Sequence, residues 1–367
     1  MSNATVILGG AGAASLQVSL IVFAGRSSAE GSSSNRDCFM KYIATKVLKR
    51  LESSKIRGGF NDQVKTLLLP VSFGVSSTAL LHILDQQLRN RTEQGRHPSY
   101  RLSVLFVDQS TVVDELPSRT MIDLLRQRYP SHSYSTVSLD EVFEYGISIT
   151  GSSEGPQREL RDVVTSLPSA TSRVDLIDTT RRRLILAFAK RHSCDSILFG
   201  DSTTRLAERT LSETAKGRGI AIPWSTADND SSGITCTYPL RDVLRKELLA
   251  YAEVVAPPLT TLIMKPLARA AISSKSTTID DLMGRYFEVV EDNYPSIVAN
   301  VVRTSSKLVA PEVPELSDSC LLCGNPIIDG NWGGEQDRKI PSQPAPSNQS
   351  NQIESLCYGC TRTMLTT

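Results

Sequence analysis

The stretch "LLLPVSFGVSSTALLHIL", Leu67 to Leu84, decides how this chain is read. An apolar run from Leu67 to Val71 enters a short turn, Ser72 to Ser77, and an apolar-periodic segment follows from Thr78 to Leu88. A strand that turns through small residues into a helix is how a phosphate-cradling loop is written. The free N–H groups of the first helical turn point at the ligand, and the helix dipole favours its negative charge. Phe73 stands where such a loop usually has a glycine.

Working outward, "YRLSVLFVD" (Tyr100–Asp108), "SYSTVSL" (Ser133–Leu139) and "DSILFGDS" (Asp195–Ser202) read as further strands. Phe39, Ile43, Val47 and Leu51 recur every four residues, which predicts an amphipathic helix over Cys38–Leu51. A polar loop is expected from about Thr150 to Asp175, ahead of a helix at "TTRRRLILAFAKRH". "IPWSTADNDSSGITCTYPL" reads as two short extended pieces around a turn, and "RDVLRKELLAYAEVV" as a helix. Residues 279–302 predict one or two more helices, with a break at Asn293-Tyr294-Pro295. Strands alternating with helices predict a parallel sheet covered on both faces, with ligands at the carboxyl ends of its strands. That brings the Ser72–Ser77 loop, Asp108 and the Gly200–Ser202 turn to one crevice.

The 367 residues suffice for one large α/β domain and a small appendage, and the formal net charge of +1 excludes a globally basic nucleic-acid binder. The first 37 residues are expected to be a leader with little structure, and residues 26–37 read as a linker. Within the leader, Thr5–Gly25 is nearly uncharged, but no basic segment precedes it and Gly, Ala and Ser dilute it. No membrane association is expected, and a wrongly assigned chain start is an alternative account of the leader. Residues 38–310 form the α/β body of this reading, and 311–367 a C-terminal module with a low-complexity insert at 333–354.

Four of the seven cysteines fall into two pairs, "CLLC" (Cys320, Cys323) and "CYGC" (Cys357, Cys360). Two such turns can place four thiolates on one ion, giving a closed tetrahedral zinc site with no open position for catalysis. Gly324 and Gly359 supply the tight backbone those turns need. A redox-active dithiol is the competing reading, but the pairs lack a βαβ setting.

Taken with these pairs, "VSFGVSSTALLHIL", "ILFGDSTTRLAERTLSETAKGRGIAIPW" and "YPLRDVLRKELLAYAEVV" resemble the cytoplasmic tRNA 2-thiolation protein 2 family, over roughly residues 36–365. The resemblance implies a PP-loop fold, that of the adenine nucleotide alpha-hydrolase-like proteins, and a cytoplasmic location. It implies pairing with a catalytic PP-loop subunit to 2-thiolate the wobble uridine of the lysine, glutamate and glutamine tRNAs. It also implies a ubiquitin-like thiocarboxylated protein as the sulfur carrier.

Active members of the parent fold carry a Ser-Gly-Gly-x-Asp-Ser loop, which binds ATP so that the uridine oxygen can be adenylated and displaced. Here the aligned residues are Ser72, Phe73, Gly74, Val75, Ser76 and Ser77. Phe73 adds bulk where backbone approaches phosphate, and Ser76 replaces the acidic residue, so turnover of ATP is not expected, while binding without turnover stays open. The hydroxyls of Ser72, Ser76 and Ser77 can still hydrogen-bond an anion. Catalytic relatives also have a Cys-x-x-Cys-Gly pair before the Arg-Arg that opens a helix, whereas "SRVDLIDTTRRRLIL" has no cysteine. The resemblance therefore implies a subunit without catalytic residues of its own.

Arg181, Arg182, Arg183, Lys190, Arg191, Arg205, Arg209, Lys216 and Arg218 outnumber Asp195, Asp201, Glu208 and Glu213 in the same segment. Arg181, Arg182, Arg183, Arg205, Arg209, Lys216 and Arg218 are the candidates for a tRNA phosphate track, with two solvated helix faces as the competing account. An autonomous adenylating enzyme and a zinc-module scaffold without tRNA work are the alternative functions.

Overall fold

The computed structural model describes residues 32–53, 64–113, 120–147, 149, 159–229, 233–264, 276–311, 319–327 and 356–365. The leader up to residue 31 and the insert at 333–354 lie outside the described residues. Helix α1, Ser32–Ser53, begins inside the segment read as a linker. Strand β1 (Lys65–Val71) turns into helix α2 (Val75–Glu93), followed by β2 (Tyr100–Asp108), α3 (Thr120–Arg128) and β3 (Ser133–Ser138). Next come α4 (Leu160–Ser166), α5 (Ala170–Arg191), β4 (Ser196–Leu198), α6 (Thr203–Ala215), α7 (Ile222–Thr226), β5 (Thr235–Thr237) and α8 (Arg245–Val254). Helices α9 (Ile279–Asn293), α10 (Pro295–Ser305) and α11 (Tyr358–Leu365) follow, and short 3-10 turns lie at Leu139–Phe143, Gly219–Ala221 and Leu259–Leu262.

The five strands form one sheet in the order β3-β2-β1-β4-β5, and every neighbouring pair is parallel. The chain leaves β1 toward β2 on one side and returns to β4 on the other. The crevice therefore opens between the carboxyl ends of β1 and β4, the switch point of the topology. Alternation along β1 sends Leu67, Leu69 and Val71 to one face, where α1, α2, α3 and α8 pack, and Leu68 to the other. That second face carries α4, α5, α6, α9 and α10, and Cys320, Leu322 and Cys360 are buried in the same cluster. The cysteine turns are thus seated in the core of that face.

Two local readings are corrected. The expected polar loop before Asp175 contains α4, and α5 starts at Ala170, where the Ser169 hydroxyl accepts from the Ser172 N–H. The stretch "IPWST" is a helical turn with Pro223 in its first turn, where a missing N–H costs nothing. Among the described residues of that region, only Thr235–Thr237 forms a strand. The expected break after Asn293 is present, with Pro295 opening α10.

Candidate functional site

Phe73 has φ +54° and Gly74 is extended, so the chain reverses sharply before α2 begins. The Phe73 ring is fully buried, 4.9 Å from the Phe106 ring. Its bulk therefore lies in the core rather than in the path of a phosphate, which corrects the expectation from sequence. The loop is tied internally: Ser77 Oγ donates to the Gly74 carbonyl at 3.2 Å and accepts from the Ser72 N–H at 3.3 Å. No side chain caps α2, so the N–H groups of its first turn remain available to an anion. Gly200 is required here, since a Cβ on it would stand 2.9 Å from the Ser77 Cα.

Around this loop lies a cavity of about 530 Å³ whose apolar side includes Phe106, Ile185, Leu186 and Phe199. Ser72, Phe73, Gly74 and Ser77 contribute to its lining, as do Arg181, Arg182, Arg205, Arg209, Lys216 and Arg218. Ser76 and Arg183 are absent from that lining. The structure thus gathers most of the basic candidates at one place, together with carboxylates that match them.

Arg181 pairs with Asp178 at 2.8 Å, Arg209 with Asp201 at 2.6 Å, and Arg205 with Glu208 at 3.0 Å. Arg182 donates to the Tyr238 hydroxyl at 2.8 Å, and its guanidinium lies 4.5 Å over the Phe199 ring. Burial works against the Arg209 charge, and Asp201 beside it more than offsets that, raising its pKa above the ordinary value. A polyphosphate entering here would meet Asp178 and Asp201 as well as the cations.

Lys216 and Arg218 are buried. Lys216 Nζ lies 2.8 Å from Asp280 and 3.1 Å from Asp175. Arg218 donates to Asp175 through both terminal nitrogens, one of them at 2.8 Å, and to Glu213 through Nε at 2.6 Å. Burial pushes the Asp175 carboxyl up, but the hydrogen bonds and charges of Arg218 and Lys216 prevail and hold it down to about 2. Sequence reasoning missed Asp175 because it closed the expected polar loop there. Its three-residue spacing from Asp178 on a helix was the available signal.

The four cysteine sulfurs all lie within 4.8 Å of one another, with Cys323 and Cys357 at 3.7 Å. Tetrahedral coordination with metal–sulfur bonds of about 2.3 Å separates sulfurs by roughly 3.8 Å, so the four cysteines fit a single ion. Gly324, at φ +74°, closes the first turn by donating to the Cys320 carbonyl at 2.8 Å. The Cys357 N–H donates to Cys320 Sγ at 3.3 Å, which supports a thiolate. Arg183 donates to the Leu321 and Leu322 carbonyls and so ties α5 to this turn. Cys323 and Asn325 reach the cavity lining.

Comparison with known proteins follows the same lines. The family model for cytoplasmic tRNA 2-thiolation protein 2 matches residues 278–362, which span α9, α10 and both cysteine turns. A protein of that name from Phaeosphaeria nodorum is 44% identical over 352 residues, covering 89% of each chain. Its counterpart from Aspergillus clavatus is 38% identical over 345 residues, 89% of this chain and 91% of the relative. In fold, the chain is similar to the U34-tRNA thiolase NcsA from Methanococcus maripaludis, solved with its [4Fe-4S] cluster. The TM-score is 0.54 at 16% identity, with 78% of this chain and 88% of that one covered.

Proposed function

The chain belongs to the cytoplasmic tRNA 2-thiolation protein 2 family, and on that premise we propose that it is the non-catalytic PP-loop subunit of a wobble-uridine thiolase. In this reading it pairs in the cytoplasm with a catalytic PP-loop protein. That partner adenylates the uridine of the lysine, glutamate and glutamine tRNAs and receives sulfur from a thiocarboxylated ubiquitin-like carrier. Residues 38–310 serve as the body and 311–367 as a structural zinc module.

The observation that carries this reading is the cavity at the loop. Arg181, Arg205 and Arg209 are each paired with a carboxylate. An ATP site needs cationic charge left over for the phosphates and for the charge that develops in the transition state. Here the charge of those three arginines is spent on Asp178, Asp201 and Glu208, and Arg182 is turned to the Tyr238 hydroxyl and the Phe199 ring. The chain's own residues offer shape, a helix N-terminus and an apolar wall, which suit docking and support of a partner's site.

Of the basic candidates, Arg181 and Arg205 reach solvent, with side chains 30% and 39% exposed. Their ion pairs leave part of each guanidinium in solvent, outside the enclosed part of the cavity, and we assign that exposed part to tRNA phosphate contact. Zinc on the four cysteines supplies no reaction step, because four thiolates fill its tetrahedral shell. Exchange of labelled pyrophosphate into ATP tests the assignment, with the isolated chain, the partner alone and the two together. The reading expects exchange only where the partner is present. Exchange by the isolated chain would make it an adenylating enzyme in its own right.

A further inference from the structure

Helix α11 has eight residues, too few for an isolated helix to persist in water. Its position depends on what holds its ends. At its N-terminal end, Cys357 and Cys360 belong to the four-sulfur cluster. Further along, Thr363 Oγ1 donates to Asp175 Oδ2 at 2.6 Å, and Asp175 pairs with both cations, sharing Lys216 with Asp280 and Arg218 with Glu213.

Two glycines make this approach possible. A Cβ at Gly217 would stand 2.8 Å from the Tyr358 ring, and a Cβ at Gly359 would overlap the Arg218 side chain. The helix and the Lys216–Arg218 turn are therefore interlocked, each occupying space the other leaves as glycine. The two cations face the cavity, yet they are 8% and 4% exposed in this arrangement. Without the helix, Asp175 loses a hydrogen bond and Arg218 loses the backbone that covers its stem. Buried charges deprived of cover are driven toward water.

We propose that a metal ion on Cys320, Cys323, Cys357 and Cys360 keeps Lys216 and Arg218 out of solvent by pinning helix α11 against them, and that loss of the ion frees both cations at the cavity. The device is local to one face, because the opposite face of the sheet is packed without α11. It rests on the reading of the four cysteines as a metal site, which metal stoichiometry checks separately.

The test uses the full chain as purified, before and after chelation, with acylation of the Lys216 amine followed by mass spectrometry. Amide hydrogen exchange of β1 is followed in the same samples. Metal-loaded protein should leave Lys216 nearly unlabelled, and chelation should raise its labelling roughly tenfold or more while β1 stays protected. Thr363→Val, which touches no cysteine, should raise Lys216 labelling with the metal retained. Lys216 unchanged after the metal is gone would overturn the proposal and leave the metal reading intact. Loss of β1 protection together with the metal would also overturn it, since the ion would then hold the whole fold. A chain that neither contains nor takes up metal would overturn the metal reading and the proposal with it.

Discussion

Phe73 sits in the left-handed region, at φ +54°, with its ring fully buried against Phe106. A non-glycine residue there costs about 1–2 kcal/mol, while deleting a buried phenylalanine ring costs about 3–5 kcal/mol. The second effect is larger, so Phe73→Gly should destabilise the fold by about 1–4 kcal/mol although it restores the glycine of an active loop. Urea denaturation measures this, and an unchanged midpoint would mean that the ring contributes no more than its left-handed backbone costs. Sequence alone exposed the departure at Phe73, because a glycine position filled by an aromatic is visible as a letter. It could not show where the ring goes. That depends on Phe106 of the neighbouring strand lying beside it, a contact set by the parallel β1–β2 register.

At the scale of elements, α2 and α11 make different demands. His82 on α2 is buried, with Nδ1 3.0 Å from the Tyr129 hydroxyl. Burial first, and then the Arg128 charge, lowers its pKa from 6.5 to about 4. The unfolded chain therefore binds a proton on this group below pH 6.5 that the folded chain refuses until about pH 4. Stability from this group is complete above pH 6.5 and falls as the pH drops toward 4, by about 3 kcal/mol in all. Thermal melts of His82→Gln should show a flatter pH dependence in that window than the parent chain. For α11, Cys357→Ser should remove the bound metal and make the C-terminal segment protease-sensitive, because three thiolates no longer close the site. Metal analysis with limited proteolysis reads both. The cysteine spacing made this site legible without a structure. The true start of α5 was hidden because Ser172, Asp175 and Thr180 are buried polar residues on a helix. The burial of Asp175 rests on ion pairs with the distant Lys216 and Arg218, which no local hydrophobic period reports.

For the molecule as a whole, the parallel sheet covered by helices on both faces follows from strands alternating with helices, a rule the sequence carried openly, whereas the strand order emerges only from the pairing. The charge matching across the cavity was not legible, since Asp175 and Asp280 come from α5 and α9 and meet Lys216 only on folding. The pairing separates two kinds of basic residue. Lys216→Glu with Arg218→Glu places new carboxylates beside Asp175 and Glu213, so loss of stability and of metal should precede any effect on RNA. Arg181→Gln with Arg205→Gln adds no charge of its own, so it should lower the melting midpoint only modestly, through Glu208, keep the metal, and weaken tRNA binding by the complex. The slope of log affinity against log salt should become shallower by about 1–2.

The central claim is that this chain supports thiolation without performing it. The most direct measurement is single-turnover 2-thiolation of a tRNA bearing wobble uridine, with ATP and the sulfur carrier supplied. It compares this chain alone, the catalytic partner alone, the pair, and the pair carrying Ser72→Ala. The account predicts no product from this chain alone and full product from the pair. It predicts a Ser72→Ala rate within about tenfold of the parent, a barrier change below about 1.4 kcal/mol. Product from the isolated chain, or a larger loss with Ser72→Ala, would contradict it and make the loop a working nucleotide site.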